Sequence, residues 1–170
     1  MSLHREENVD NPERLGQLLD GLSQLSETRD LDVLISTHPR TRKRLEEFDL
    51  LDMAGDRLVF AKPFGFHDYN KLQMTAACAI SDSGTISEES SMLGFPAVTP
   101  RDWIERPEAL DTGSIIMTGL DPDVVLRGVE YAIDFGASEG IPVEYQIENC
   151  SDRVVRLIVG RSRAVTETGR

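Results

Sequence analysis

Apolar positions along the chain fall into two alternating rhythms. Leu15, Leu18, Leu19, Leu22 and Leu25 recur at helical spacing. They follow Asn11-Pro12-Glu13, which reads as an N-cap, a first-turn proline and an acid suited to the helix dipole. Leu31 to Ile35 is a short apolar run with the length of a buried strand, and Thr41 to Phe48 is a short charged helix. Arg57 to Ala61 is a second strand, closed by Lys62-Pro63. His67 to Ala77 reads as a helix with Tyr69, Leu72, Gln73 and Ala76 on one side. Cys78 to Ser81 is a third strand and Gly84 to Leu93 the helix after it.

Gly94-Phe95-Pro96 stops that helix. Ala97 to Thr99 is a fourth strand, Glu105 to Leu110 a short helix, and Ser114 to Thr118 a fifth strand. Asp121-Pro122-Asp123 opens a capped helix that runs to Phe135 with Val124, Val125, Val129 and Ile133 apolar. A loop from Gly136 to Gly140 follows, then a last helix from Ser151 to Val159 and a polar tail over 161–170.

Short strands separated by helices predict an α/β fold: a Rossmann-like parallel sheet with helices on both faces, forming one domain over 1–160. Ligands of such sheets bind outside the carboxyl ends of the strands. That rule directs attention to residues 38–40, 62–67, 82–85 and 99–106.

Composition narrows the function classes. The 170 residues are 39% hydrophobic and 28% charged, the balance of a folded globular chain. With 18 basic and 30 acidic residues the net charge is −12, which argues against general nucleic-acid or membrane-surface binding. It leaves room for an anionic small molecule at a local cluster of arginines, because salt screens charge over about 10 Å. Cys78 and Cys150 form no pairing motif and fit a reducing cytoplasm, with Cys78 expected as a small buried hydrophobe. Three scattered histidines and two cysteines give no metal-ligand spacing, and no Walker or GxGxxG loop occurs.

Four segments carry candidate chemistry, and each has a plain structural alternative. Ser81-Asp82-Ser83-Gly84-Thr85-Ile86-Ser87-Glu88-Glu89 leaves a strand and enters a helix. It is either a capping box or an anion cradle of free N–H groups and hydroxyls, with Gly84 admitting a phosphate close to the backbone. Glu89, about one and a half turns into the helix, is placed to accept bonds from ribose hydroxyls. Glu105-Arg106-Pro107-Glu108 is either a surface turn or a presentation of Arg106 to phosphate oxygens. His4-Arg5-Glu6-Glu7-Asn8 is either a disordered terminus or a diphosphate contact. Thr37-His38-Pro39-Arg40 offers a histidine just past a strand, as a ligand contact or a turn. Tyr69 is either a core tyrosine or a stacking partner for a base.

In combination, His4-Arg5-Glu6-Glu7-Asn8, Ser36 to Arg40, Ser81 to Glu89 and Glu105 to Glu108 resemble, in order and spacing, the C-terminal half of the non-hydrolysing UDP-N-acetylglucosamine 2-epimerases. The Asp82-Ser83-Gly84-Thr85-Ile86-Ser87-Glu88-Glu89 variant is closest to the branch that forms UDP-N-acetyl-L-fucosamine for surface polysaccharides. The resemblance implies one half of a two-domain GT-B architecture that binds UDP-sugar. The family's reaction removes the carbon-2 proton, eliminates UDP to give a 2-acetamidoglycal, and re-adds both with inversion, without metal or nicotinamide. It implies that Ser83, Gly84, Thr85, Arg5 and Arg106 hold the diphosphate, Glu89 the ribose and Tyr69 the uracil. His4 becomes the catalytic group facing diphosphate and sugar, and His38 matches a position that some bacterial members use for an allosteric UDP-sugar.

The departures set further expectations. The carboxylates that move the carbon-2 proton belong to an N-terminal half outside these 170 residues. Only Met1-Ser2-Leu3 stand where a central strand leads into the His4 motif, so unpaired strand edges are expected. Trp103 replaces an expected smaller or polar residue. The implied partners are a UDP-sugar and either a second copy or the missing N-terminal half. The alternatives are a non-catalytic interaction domain and the nucleotide half of a GT-B glycosyltransferase.

Overall fold

The computed structural model describes residues 1–52, 54–137 and 140–161. The expected tail beyond Arg161, and Ser138 and Glu139 of the expected loop, lie outside the described residues. Among the described residues, five parallel strands are arranged in two sheets. β1 (Val33–Ser36) pairs with β2 (Leu58–Ala61) from Val33↔Leu58 to Ser36↔Ala61. β3 (Ala79–Ile80), β4 (Ala97–Thr99) and β5 (Ile115–Met117) follow in order, with Ala79 opposite Ala97 and Ala97 opposite Ile115.

Met1–Leu3 lie between the sheets. The Met1 ammonium donates to Leu34 O at 2.6 Å and Ser36 N–H donates to Met1 O at 2.9 Å. On the other side Ser2 N–H donates to Ile80 O at 2.8 Å, and Asp82 N–H reaches Ser2 O at 3.4 Å. The spatial order is therefore β2, β1, the Met1–Leu3 rung, β3, β4, β5. The rung pairs the strand edges only at their carboxyl ends.

Helices cover both faces. α1 (Glu6–Val9) is a single turn. α2 (Pro12–Arg29) starts where the Asn11 side chain accepts from Arg14 N–H and stops at Asp30 in left-handed conformation, φ 52°. It buries Leu15, Leu18, Leu19 and Leu22, each contributing about 1.5–3 kcal/mol of apolar burial. α7 (Pro122–Phe135) is capped by Asp121, which accepts from Asp123 and Val124 N–H, and ends at Gly136 with φ 75°. α2 and α7 enclose one core with Leu3, Val9, Ile80 and Val98. A neighbouring cluster joins α2 to β1, β2 and α3 (Pro39–Glu47) through Leu15, Ile35, Leu45 and Leu58. Alternation along the strands sends Ala79, Ala97 and Ile115 to the opposite face, where they meet Ile86 of α5 (Ile86–Leu93) and Ala109 of α6 (Glu108–Asp111).

α4 (Phe66–Thr75) precedes β3. A 3-10 turn (Val143–Gln146) leads to α8 (Cys150–Arg161), where Val154, Val155, Leu157, Ile158 and Val159 are exposed. No helix among the described residues is long and apolar enough to cross a membrane. Cys78, expected buried, is only half-buried as a residue, yet burial pushes its thiol up to about 12.

Candidate functional site

The carboxyl end of β3 organises the site. Asp82, fully buried, is the first residue past the strand region. Its carboxylate accepts from His4 N–H at 3.0 Å, Arg5 N–H at 2.9 Å and Asn8 Nδ2 at 2.9 Å, and it pairs with His4 Nδ1 at 2.9 Å. Arg5 Nε donates to the Asp82 backbone oxygen at 2.8 Å, and Asn8 also reaches Pro100 O at 3.1 Å. A carboxylate with this many donors is fully satisfied despite its burial. The chain start is thereby ordered, which overturns the disordered-terminus alternative for residues 4–8.

Ser83, Gly84 and Thr85 form a turn ahead of α5. Ser83 Oγ and Thr85 Oγ1 are 3.0 Å apart, and Thr85 N–H lies 3.4 Å from Ser83 Oγ. The helix begins at Ile86 rather than at Gly84, because these residues bond to one another instead of entering the helical ladder. Thr85 occupies the N-cap position but its side chain makes no capping bond. A Cβ at Gly84 would stand 3.2 Å from Arg106 Nη1 and 4.0 Å from Arg101 Nη1, so glycine leaves the space into which both guanidiniums project.

Arg106 faces the mouth. Its Nη1 approaches Gly84 O at 3.5 Å and its Nε pairs with Glu88 Oε1. Glu89 lies on the flank of α5 and accepts from Gln73 Nε2 of α4 at 3.0 Å. Tyr69 of α4 is turned toward Ser2 and Ser81, and burial raises its phenol above the ordinary value. The rings of His4 and His38 are 5.6 Å apart, with His38 capping α3 through Nδ1, which accepts from Arg40 N–H at 3.2 Å. Thus His4, Arg5, Ser83, Gly84, Thr85 and Arg106 converge directly, while Glu89 and Tyr69 border the same strand end from the α4 side. Among the described residues, no three His, Cys, Asp or Glu side chains gather as a metal set.

The family model described as UDP-N-acetylglucosamine 2-epimerase matches residues 1–159. The chain belongs to the UDP-N-acetylglucosamine 2-epimerase family. The Methanocaldococcus jannaschii UDP-N-acetylglucosamine 2-epimerase is 36% identical over 136 residues, covering 79% of this chain and 37% of that protein. The Methanococcus maripaludis enzyme of the same name is 38% identical over 132 residues, covering 76% and 36%. A crystal structure of the M. jannaschii epimerase in complex with UDP-GlcNAc and UDP superimposes with a TM-score of 0.82 at 33% identity, covering 93% of this chain and 44% of that one. The Neisseria meningitidis epimerase bound to UDP-GlcNAc gives 0.76 at 25% identity, covering 94% and 43%. The chain thus spans less than half the length of these epimerases, and its fold is the α/β, GT-B half expected of the family.

Two residues of this cluster escaped motif reading. Asp82 was visible only as one letter in a polar run, and nothing local predicts that it ties residues 4, 5 and 8 to the strand end. Arg101 looks like an ordinary loop arginine in sequence. In the fold it is only 2% exposed, its Nη2 is 3.2 Å from Glu105 Oε1, and its guanidinium lies 5.6 Å from the Trp103 ring. Among the described residues its buried Nη1 has no hydrogen-bond partner, and it lies 4.0 Å from where a Cβ on Gly84 would stand. The Arg101 guanidinium holds the Glu105 carboxyl below the ordinary range. Trp103, standing where a smaller or polar residue was expected, is 64% exposed.

Proposed function

We propose that this domain binds the UDP moiety of a UDP-N-acetylhexosamine as the nucleotide-holding half of a non-hydrolysing 2-epimerase. The observation that carries the reading is the meeting of Gly84, the unpartnered Nη1 of Arg101 and the half-exposed Arg106 at the start of α5, directly after a parallel strand. Two guanidiniums and a helix mouth suit a diphosphate, whose charge grows as UDP departs; stabilising that charge lowers the barrier.

In this scheme Ser83, Thr85, Gly84, Arg5, Arg101 and Arg106 hold the diphosphate, Glu89 takes the ribose hydroxyls, and Tyr69 borders the uracil. His4, positioned by Asp82, faces the bond from carbon-1 to the diphosphate as the catalytic group of this half. Carbon-2 gives up its proton as the carbon-1 to oxygen bond breaks and UDP carries away the electron pair. UDP then re-forms that bond while a proton returns to the other face of carbon-2. The base and acid for carbon-2 come from the partner half of a longer polypeptide or of an assembled second chain. The setting is cytoplasmic synthesis of surface-polysaccharide precursors, with no metal or nicotinamide required.

Calorimetric titration with UDP tests the reading: saturable binding is expected, weakened by Arg106→Ala and by Glu89→Ala. A folded chain that does not bind UDP, or binding indifferent to both substitutions, overturns it. In heavy water this chain alone should place no deuterium at carbon-2 of a UDP-N-acetylhexosamine, and robust exchange would refute its dependence on a partner half.

A further inference from the structure

The first turns of α5 carry two neighbouring glutamates that meet different partners. Glu88 pairs with the Arg106 guanidinium, whereas Glu89 Oε2 accepts from Gln73 Nε2 at 3.0 Å. A carboxylate only accepts, so the nitrogen of the amide is the end that faces it. Both ends of this contact are held through the backbone. Gln73 stands in the last turn of α4, where Ala76 N–H donates to Gln73 O at 3.3 Å. Glu89 N–H donates to Thr85 O at 2.9 Å.

Gln73 is only 6% exposed, and among the described residues its Oε1 is buried without a hydrogen-bond partner. A buried amide with its acceptor unused costs stability, and a hydrocarbon of similar volume would pack there without that cost. Packing therefore does not account for glutamine at this position. What the amide supplies is a neutral donor to a carboxylate. An arginine or lysine would also hold Glu89 but would cancel its charge, as Arg106 does for Glu88. Held by an amide, Glu89 stays a full anion. Its Oε1 and the remaining lone pairs are left to act as charge-assisted acceptors.

We propose that Gln73 is a positioning residue for ribose selection: its amide fixes the Glu89 side chain so that the free oxygen meets the vicinal hydroxyls of a ribonucleoside diphosphate. The inference rests on the nucleotide binding proposed above and names what selects ribose over deoxyribose within it. Glu89 touches the ligand, and Gln73 acts through Glu89. Without the amide the carboxylate samples several rotamers, and its bonds to the hydroxyls must first offset that freedom. Loss of Gln73 therefore removes a nucleotide preference while leaving the fold as stable as before or more so. Removing a residue that serves packing does the opposite.

The test compares the full chain with Gln73→Met and Gln73→Leu, which keep the volume and remove the donor, by calorimetric titration with UDP and with 2′-deoxy-UDP and by thermal melting. The wild-type chain should bind UDP about tenfold more tightly than 2′-deoxy-UDP. Both variants should weaken UDP binding by about fivefold to tenfold, leave 2′-deoxy-UDP within about twofold, and show an equal or higher Tm. Adding Gln73→Met to Glu89→Ala should cost no further UDP affinity, because the group that Gln73 orients is already gone. A wild-type preference for UDP that survives in both variants overturns the inference. So does equal weakening toward both nucleotides with a lower Tm, which assigns Gln73 to packing, and so does equal wild-type affinity for the two nucleotides. In each of these cases UDP binding by the wild-type chain leaves the nucleotide reading standing. A folded wild-type chain that binds neither nucleotide overturns that reading and this inference with it.

Discussion

At their carboxyl ends β1 and β3 are joined by three residues and a buried carboxylate; at their amino ends the same two strands stand apart over an apolar cavity. The joined end is polar, and its backbone and side-chain donors are met by Asp82, Ile80 O and Leu34 O. The open end has apolar walls. The mouth and the sheet have separate requirements. A rung of Met1–Leu3 suffices to bring His4 and Arg5 against Asp82, while the apolar layers at the other end stay apart.

Breaking the joined end has the largest expected effect. Asp82→Ala strips the acceptor from His4, Arg5 and Asn8 together and should destabilise the fold by about 3–5 kcal/mol, as loss of one partner from a buried charged cluster does. Urea unfolding checks this, and a change below about 1 kcal/mol would show that Asp82 is not the anchor.

The Met1 amine tests the boundary between the two ends. It is held against Leu34 O, and burial lowers it from 8.0 to about 6. The unfolded amine binds more protons than the folded one between these values, so stability should fall as pH drops from 8.0 to about 6. The loss amounts to roughly 2 kcal/mol. Urea midpoints across that range should show the slope, and N-terminal acetylation should abolish it.

At the mouth, Arg101→Ala should weaken UDP binding by about 2 kcal/mol, near thirtyfold, if its free Nη1 meets a phosphate. Calorimetry with the folded variant decides, and an unchanged Kd would place Arg101 in packing alone. The smallest effect expected is a gain. Glu88→Gln releases Arg106 from its ion pair and should tighten UDP binding by about twofold to fivefold, the scale of a partly exposed pair.

Much of the fold was legible because its signals are local. Asn11-Pro12 and Asp121-Pro122 cap α2 and α7 where expected, since a side-chain acceptor followed by proline is a nearest-neighbour device. β4 falls on Ala97–Thr99 as read. α3 begins earlier than expected, at Pro39, because His38 serves as an unanticipated cap of the same kind. The site was legible where glycine and hydroxyls mark a strand-to-helix turn. It was illegible where meaning depends on contacts distant in sequence. Asp82 acquires its role from residues 74 to 78 positions away, and Arg101 meets Gly84 from a different strand end.

The Asp82 hub has a kinetic consequence. His4 and Arg5 are fixed by their own backbone N–H groups as well as by side chains, so the loop geometry is set before any encounter. A nucleotide bound as proposed would forfeit little entropy to organising this wall of the mouth, and its residence time would be governed by the contacts it makes with a prebuilt surface.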